Sequence, residues 1–489
     1  MPSEYQVDIE QVIKQAVSGV ISFIVSNVFV QIFITLCSFI LTILLEPSVY
    51  GIFFVVSAIL NILVYFSDIG LAAALVQHKD EPSKKDLTST FTIQQIIIFT
   101  LVILGMIFSA PIAHFYRLNN DGLMLLRVLL FSLILSSLKT IPSILLERKL
   151  SFNRIVIPQI AENIVFYATA IVLAYLGYGI TSFTWAVLAR GIVGLYLIYI
   201  LSPWKPSLGL DKISAKKLTK FGLPFQLNTT LALLKDDLLT VFLGKILTFT
   251  QVGYIGWGQQ WALKPLRFFM DPVNKVIFPA YSRLQEHTQE LGKAIEKSLF
   301  FVTYFVYPSI FGMLAVAPEF VALIPRYQKW EPALPLLYLF AINAIFSAIS
   351  TTFTNALFAI GRPNIVLKFM VFWTAITWLI TYPLVLKFGF IGVGIGSAIV
   401  ATTSLATIYF VKKEIPISVG KSIIGPLLIS ILMFLTIRAM YTVIPNTFSN
   451  LFLTIIAGAI IYFTASFAIF RRHLIEDAMV IIRSIVTRK

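Results

Sequence analysis

The chain has 489 residues, of which 58% are hydrophobic and only 12% are charged. Soluble domains keep about a quarter of their residues charged, so this composition excludes a water-soluble globular protein and indicates that lipid is the main solvent. The formal net charge of +15 does not require a nucleic-acid partner, because Lys and Arg in cytoplasmic loops explain a basic balance in a membrane protein.

A membrane-spanning helix needs about 20 mostly apolar residues. Taken in chain order, the segments that meet this length are 18–45, 50–76, 89–116, 123–147, 155–177, 180–201, 219–245, 249–279, 296–325, 333–360, 364–387, 389–411, 422–443 and 448–470. They follow one another with almost no hydrophilic stretch between them. We therefore expect an all-α integral membrane protein with about 14 transmembrane helices.

The connections between these segments differ in charge. If the N-terminus lies in the cytoplasm, the cytoplasmic connections and the C-terminal tail hold nearly all of the Lys and Arg residues outside the spans. The opposite connections hold only Arg117, Lys245, Arg326, Lys329 and Lys387. Because positive residues concentrate on the cytoplasmic side, we expect both termini in the cytoplasm.

The two halves of the chain look related. A shift of 203 residues lays the segment 49–52 near 252–255, and slightly larger shifts lay Ala110-Pro111 on Ala317-Pro318 and 176–178 on 388–390. Six helices separate the copies, an even number, so both copies have the same orientation. This repeat predicts a pseudo-twofold axis along the membrane normal and a cavity between two six-helix lobes.

The repeat also predicts the domain boundaries. We expect an N-terminal lobe at 1–201, a cytoplasmic linker at 202–218 and a C-terminal lobe at 219–411. Two further helices and a basic cytoplasmic tail occupy 412–489.

Ionisable side chains within the predicted spans are the sharpest functional signal, because each costs about 2.5–3.5 kcal/mol to insert. They are Asp68, Lys139, Glu162, Arg190, Lys235, Asp236, Asp237, Lys264, Arg267 and Asp271. Each residue taken alone also fits an internal salt bridge or a charge that snorkels to the interface. The segment 235–237 fits local neutralisation best.

Several of these charges lie on polar helix faces, which together require a common wet space. The cations Lys139, Arg190, Lys264 and Arg267 fall at mid-membrane or on its cytoplasmic side in the expected topology. This placement predicts a cavity that attracts an anionic headgroup. Arg is suited to phosphate oxygens because its guanidinium donates in a bidentate fork.

Other kinds of site have little support. Cys37 is the only cysteine and the four histidines are scattered, so neither a disulfide framework nor a cysteine-based metal site is expected. The glycines at 389–396 lie in an apolar helix with no strand before them, which favours helix packing over a nucleotide loop. We expect no cofactor and no catalytic residue.

Five motifs resemble a known family: Leu45-Glu46-Pro47-Ser48-Val49-Tyr50-Gly51, Phe66-Ser67-Asp68-Ile69-Gly70-Leu71, Leu150-Ser151-Phe152-Asn153-Arg154-Ile155, Val276-Ile277-Phe278-Pro279-Ala280-Tyr281-Ser282-Arg283-Leu284-Gln285 and Lys329-Trp330. They are similar to motifs of the Wzx-type polysaccharide-transport branch of the multidrug/oligosaccharidyl-lipid/polysaccharide (MOP) superfamily, in particular its colanic-acid and teichuronic-acid exporters. The resemblance covers most of the first ten helices.

The resemblance implies alternating access in a bacterial inner-membrane flippase rather than an enzyme. Its substrate would be an undecaprenyl-diphosphate-linked repeat unit, moved from the cytoplasmic to the outer leaflet for exopolysaccharide, O-antigen or teichuronic-acid type synthesis. Membrane lipids and other polysaccharide-biosynthesis proteins would be partners, and nucleic acid would not.

The residue roles follow as expectations. The substrate-binding candidates are Lys139, Arg190, Lys235, Lys264 and Arg267. The ion-coupling candidates are Asp68, Glu162, Asp236, Asp237 and Asp271. One alternative is a cation-coupled multidrug exporter of the same superfamily, which a cavity dominated by acidic and aromatic residues would favour. Another is a membrane glycan polymerase or ligase, which would need a large outer loop.

Overall fold

A computed structural model describes residues 29–67, 70–72, 75, 81–149, 151–212, 214 and 235–486. Over these residues the regular structure is helical, as the apolar segments predict. The chain divides into two compact units, Met1–Gly253 and Tyr254–Lys489. The predicted linker at 202–218 lies partly outside the described residues, so the predicted lobe boundaries stay a prediction.

The helices of the first unit are α1 (Phe29–Leu44), α2 (Pro47–Ser67), α3 (Lys84–Tyr116), α4 (Asn120–Leu138), α5 (Thr140–Arg148), α6 (Phe152–Tyr175), α7 (Thr181–Leu201) and α8 (235–246). Helix α9 (Phe249–Arg283) begins in the first unit and continues into the second. The second unit adds α10 (Thr288–Leu323), a 3-10 turn (Gln328–Ala333), α11 (Leu334–Ala359), α12 (Pro363–Phe388), α13 (Ile391–Thr403), α14 (Ala406–Glu414), α15 (Val419–Met440) and α16 (Phe448–Val486).

Within the described residues, 11 helical stretches are long and apolar enough to cross a membrane. The prediction of a polytopic, all-α membrane protein is confirmed. The number of 14 spans stays a prediction, because the segments 18–45 and 219–245 are described only from Phe29 and Lys235 onward. A third predicted segment, 249–279, is also not among the 11 stretches. It forms α9, which carries the charges Lys264, Arg267 and Asp271.

The predicted span 123–147 is two helices, α4 and α5, that meet at Lys139. Pro142 has no N–H group, so the carbonyl oxygen of Leu138 has no donor four residues later. The phenol of Tyr199 on α7 donates to that oxygen at 3.0 Å. The break therefore places Lys139 at a helix junction and ties the junction to α7.

Polar side chains also join helices in the first unit. Gln94 donates to the hydroxyl of Thr140 at 3.0 Å, and the buried Gln95 donates to Ser137 at 3.1 Å. In an apolar surrounding an unpaired amide costs several kcal/mol, so these bonds fix α3 against the α4–α5 junction.

Two glycines let α2 and the start of α9 approach closely, both within the first unit. A Cβ atom on Gly51 would overlap the carbonyl oxygen of Phe249, and one on Gly253 would overlap that of Pro47. Gly51 lies four residues after Pro47 on α2, and Gly253 lies four residues after Phe249 on α9. Each helix therefore contributes one glycine and one carbonyl to the contact. This reciprocal crossing is the packing that small residues at four-residue spacing allow in membranes.

The core of the second unit forms around α10. Helices α10 and α15 are joined where the hydroxyl of Thr303 donates to the carbonyl of Ser422 at 2.6 Å. A buried apolar cluster continues from α10 to α11 through Leu291, Ile295, Phe353 and Leu357. The helices of this unit around α10 are therefore closely packed through buried apolar side chains.

Candidate functional site

The α4–α5 junction carries an ion pair inside the first unit. The ammonium nitrogen of Lys139 donates to Oε1 of Glu162 on α6 at 2.7 Å, and both side chains are about one-fifth exposed. The pair joins a candidate substrate ligand to a candidate ion-coupling carboxylate. Its two charges neutralise each other, as the alternative of an internal salt bridge predicted.

Glu162 also packs against α7. A Cβ atom on Gly194 would overlap its carboxylate, so the absence of a side chain at Gly194 makes room for Glu162. Arg190 lies one turn before Gly194 on α7, so α7 places Arg190 close to the helices that carry Lys139 and Glu162.

Arg190 itself has an aromatic contact. Its guanidinium lies 5.3 Å from the ring centre of Phe166 on α6, a distance typical of a cation–π contact. The side chain is exposed, and no ion pair to it occurs among the described residues. Its five N–H donors are thus available to an anion.

The segment 235–237 on α8 splits into two interactions. Lys235 pairs with Asp236 at 3.3 Å, which is the expected local neutralisation. Asp237 instead accepts hydrogen bonds from two neutral side chains of α2: Asn61 at 3.2 Å and Tyr65 at 2.6 Å. The structure therefore separates two adjacent carboxylates that the sequence could not distinguish.

The second unit holds Lys264 on α9. Its ammonium nitrogen is buried, has no hydrogen-bond partner among the described residues, and lies 4.0 Å from the ring centre of Trp261. A buried cation without an acceptor is costly, and a cation–π contact offsets only part of that cost. Lys264 is the described cation with the greatest need of an anionic partner.

The two other candidate charges of α9 are exposed: Arg267 lies one turn after Lys264, and Asp271 one turn further. Helix α9 runs through both Pro265 and Pro272 without interruption. Each proline removes the donor for the carbonyl four residues earlier. Asp68, the remaining ion-coupling candidate, lies outside the described residues.

The sequence interpretation missed some polar residues within spans. Asn61 and Tyr65 are neutral, so a search for charges passed over them. An ion pair between Glu319 on α10 and Arg438 on α15 was also missed, although one Arg438 nitrogen donates to both carboxylate oxygens at 2.7 and 2.8 Å. The sequence feature that indicates this ion pair is the position of Glu319 and Arg438, two opposite charges near the same end of their predicted spans.

No group of three or more His, Cys, Asp or Glu residues in the described ranges has the arrangement of a metal site. Two cations instead lack a carboxylate partner within the described ranges, Arg190 in the first unit and Lys264 in the second. Such cations suit an anionic, transient ligand.

Comparisons with known proteins agree with the motifs. The chain is similar to the lipopolysaccharide biosynthesis protein WzxC of Escherichia coli (strain K12), at 24% identity over 76% of this chain and 75% of that protein. It is similar to the teichuronic acid biosynthesis protein TuaB of Bacillus subtilis (strain 168), at 22% identity over 61% and 62%. Its fold is similar to that of the lipid II flippase MurJ, with a TM-score of 0.76 and 18% identity over 93% of this chain and 100% of that one.

A family described as "Polysaccharide biosynthesis protein" matches residues 40–335. That match covers more than half of the chain and contains all five motifs in full, along with every candidate site residue. The resemblance seen in the motifs is confirmed, and the chain belongs to this polysaccharide biosynthesis family.

Proposed function

We propose that this chain is a flippase that carries an undecaprenyl-diphosphate-linked oligosaccharide from the cytoplasmic to the outer leaflet. The observation that carries the proposal is that two candidate cations, Arg190 in the first unit and Lys264 in the second, have no carboxylate partner among the described residues. A diphosphate supplies the anionic oxygens that both need. Relatives named for lipopolysaccharide and teichuronic acid biosynthesis support a glycan as the cargo.

The cycle begins when the headgroup enters from the cytoplasmic side while the polyprenyl chain stays in the bilayer. The candidate ligands of the diphosphate in the first unit are Arg190 and Lys139, which binds when it exchanges Glu162 for phosphate. The candidate ligands in the second unit are Lys264 and the exposed Arg267. Because this exchange removes the cation from Glu162, the step avoids the cost of a bare charge in a low dielectric only when Glu162 takes up a proton or a cation at the same time. Alternating access then exposes the site to the outer side.

The proposal includes the expected membrane placement and energy source. A bacterial inner-membrane location with both termini in the cytoplasm follows from the distribution of Lys and Arg. Coupling to an ion gradient would use Glu162, Asp236, Asp237 or Asp271, together with Asp68. Of these, Glu162 is placed best, because protonation or ion binding there releases Lys139 for the substrate.

The alternatives have less support. A multidrug exporter is favoured by an acidic and aromatic cavity, whereas Arg190 and Lys264 are cations without carboxylate partners in the described part of the chain. A polymerase or ligase needs a large outer loop. The described connections on the expected outer side, such as 117–119, 247–248 and 441–447, are short.

The test is glycan export in a strain whose own gene is deleted. Arg190→Ala combined with Lys264→Ala removes both cations, and we expect export to fall at least about tenfold, because each charge-assisted hydrogen bond contributes about 1.5–3 kcal/mol. Surface glycan is quantified by immunoblot together with the amount of protein in the membrane.

The matched control is Arg362→Ala combined with Lys387→Ala, which removes the same two charges from exposed positions at the ends of α12. We expect the control to export normally. Normal export by the Arg190/Lys264 variant, at equal membrane abundance, would show that these cations do not bind the cargo.

A further inference from the structure

The carboxylate of Asp237 has an unusual set of partners for a charge in a predicted span. Its Oδ1 accepts from the amide of Asn61 and its Oδ2 from the phenol of Tyr65, so both oxygens are held by neutral donors. The neighbouring cation, Lys235, is turned to Asp236. Since a carboxylate has about four acceptor positions, each oxygen of Asp237 keeps acceptor capacity.

This cluster is accessible rather than enclosed. Asn61 is exposed, and the Asp237 side chain is partly exposed. A partly exposed carboxylate and an exposed amide in spanning segments cannot face hydrocarbon without a large cost, so they face a water-filled space. If these residues served only to hold α2 against α8, the Tyr65–Asp237 hydrogen bond would be sufficient, and no polar group would need to be exposed.

The chemistry of the cluster differs from that of the cations. A carboxylate oxygen accepts hydrogen bonds from sugar hydroxyls, and a carboxamide both donates and accepts, so Asp237 and Asn61 together match neighbouring hydroxyl groups. The negative charge of Asp237 repels a diphosphate and would repel a uronic acid. The matching ligand is a hydroxyl-rich sugar that is uncharged or carries an amino group.

We propose that Asn61, Tyr65 and Asp237 form a sugar-binding subsite, which contacts the glycan while the cations hold the diphosphate. Tyr65 positions the carboxylate, and Asp237 and Asn61 contact the sugar. This inference rests on the proposed function and adds to it the chemical class of the sugar that the first unit recognises.

The experiment compares two probes on the purified full-length chain in nanodiscs. One is undecaprenyl diphosphate without sugar, and the other is the lipid-linked oligosaccharide extracted from the deletion strain. We expect Asp237→Asn and Asn61→Ala each to raise the Kd for the oligosaccharide probe about tenfold, as expected for loss of a hydrogen bond to a charged group. The Kd for undecaprenyl diphosphate stays unchanged, whereas Lys264→Gln raises both values.

Tyr338→Phe is the matched control for Tyr65→Phe, because Tyr338 also donates from a spanning helix, to the carbonyl of Leu314 at 2.8 Å. Tyr65→Phe raises the Kd for the oligosaccharide probe alone, and Tyr338→Phe changes neither. If Asp237→Asn and Asn61→Ala weaken both probes equally, or neither, the subsite is wrong. If the wild-type chain binds neither probe, the proposed function itself fails. Asn61→Ala decides the question if Asp237→Asn does not fold.

Discussion

Six of the candidate charges within the spans fall into two classes that the sequence does not separate. Lys139 with Glu162, and Lys235 with Asp236, are ion pairs within the first unit. Arg190 and Lys264 contact aromatic rings instead of carboxylates. A paired charge stabilises the helix bundle, whereas a cation against a ring keeps its capacity to bind an anion. The two classes therefore have different expected roles.

The Lys139–Glu162 pair gives a prediction about stability. Glu162→Gln leaves the largely buried Lys139 ammonium without its carboxylate, and we expect a loss of about 1–3 kcal/mol in the free energy of unfolding. The measurement is the thermal melting temperature of the purified protein in detergent, which should fall.

The control for this prediction is the double variant Lys139→Met with Glu162→Gln, which removes both charges. Because no bare charge remains, its melting temperature should lie above that of Glu162→Gln. A double variant that is destabilised by the sum of the two single changes would show that the pair is not an interacting unit.

Sequence reasoning located the charged residues but not their partners. Tyr65 and Asp237 are separated by 172 residues, and the bond between them depends on how α2 and α8 pack. Hydropathy reports only that a residue lies in a span. For that reason the neutral members Asn61 and Tyr65 were missed, while the charged Asp237 was found.

At the scale of helices, prediction from apolar segments was accurate where lipid sets both ends. The segment 364–387 corresponds to α12 (Pro363–Phe388). The segment 296–325 corresponds to α10, which begins earlier, at Thr288, because a helix continues into water while hydropathy stops at the interface. The short break predicted at 178–179 is present, and the one predicted at 388 lies one residue later, at 389–390. Gly177, Gly179 and Gly389 take positive φ angles at these two breaks.

The aligned segments of the two halves also share local structure. Pro111 lies five residues before the end of α3, and Pro318 lies five residues before the end of α10. Gly177 and Gly389, which the repeat places together, have φ of 87° and 60°. Matched helix ends at matched positions are what an internal repeat predicts.

The reciprocal glycine crossing of α2 and α9 gives a prediction at the scale of helices. Gly51→Ala and Gly253→Ala each insert a methyl group against a backbone carbonyl that cannot rotate away. We expect each to cost about 1–3 kcal/mol, the usual cost of overpacking, and to lower the melting temperature.

Gly312→Ala on α10 is the matched control, since its Cβ would lie 3.5 Å from the end of the Met433 side chain, an ordinary contact. We expect it to be neutral or slightly stabilising, because Ala is the better helix former. Equal melting temperatures for Gly51→Ala, Gly253→Ala and Gly312→Ala would contradict the close crossing.

At the scale of the whole molecule, composition and segment length were sufficient to identify a polytopic membrane protein, and the motifs identified the family. Composition does not identify the cargo, because bulk apolarity is common to all membrane proteins. In the proposed function, the cations without a carboxylate partner in the described part of the chain and the cluster at Asp237 match a cargo in which an anion is joined to a hydroxyl-rich group.

The most direct measurement of the central claim is flipping by the purified chain in proteoliposomes that contain the extracted lipid-linked oligosaccharide. The quantity measured is the fraction of glycan that a membrane-impermeant oxidant reaches. We predict that this fraction rises above the protein-free value, and that Arg190→Ala with Lys264→Ala returns it toward that value. A wild-type fraction equal to that of protein-free liposomes, under an applied ion gradient as well as without one, would contradict the account.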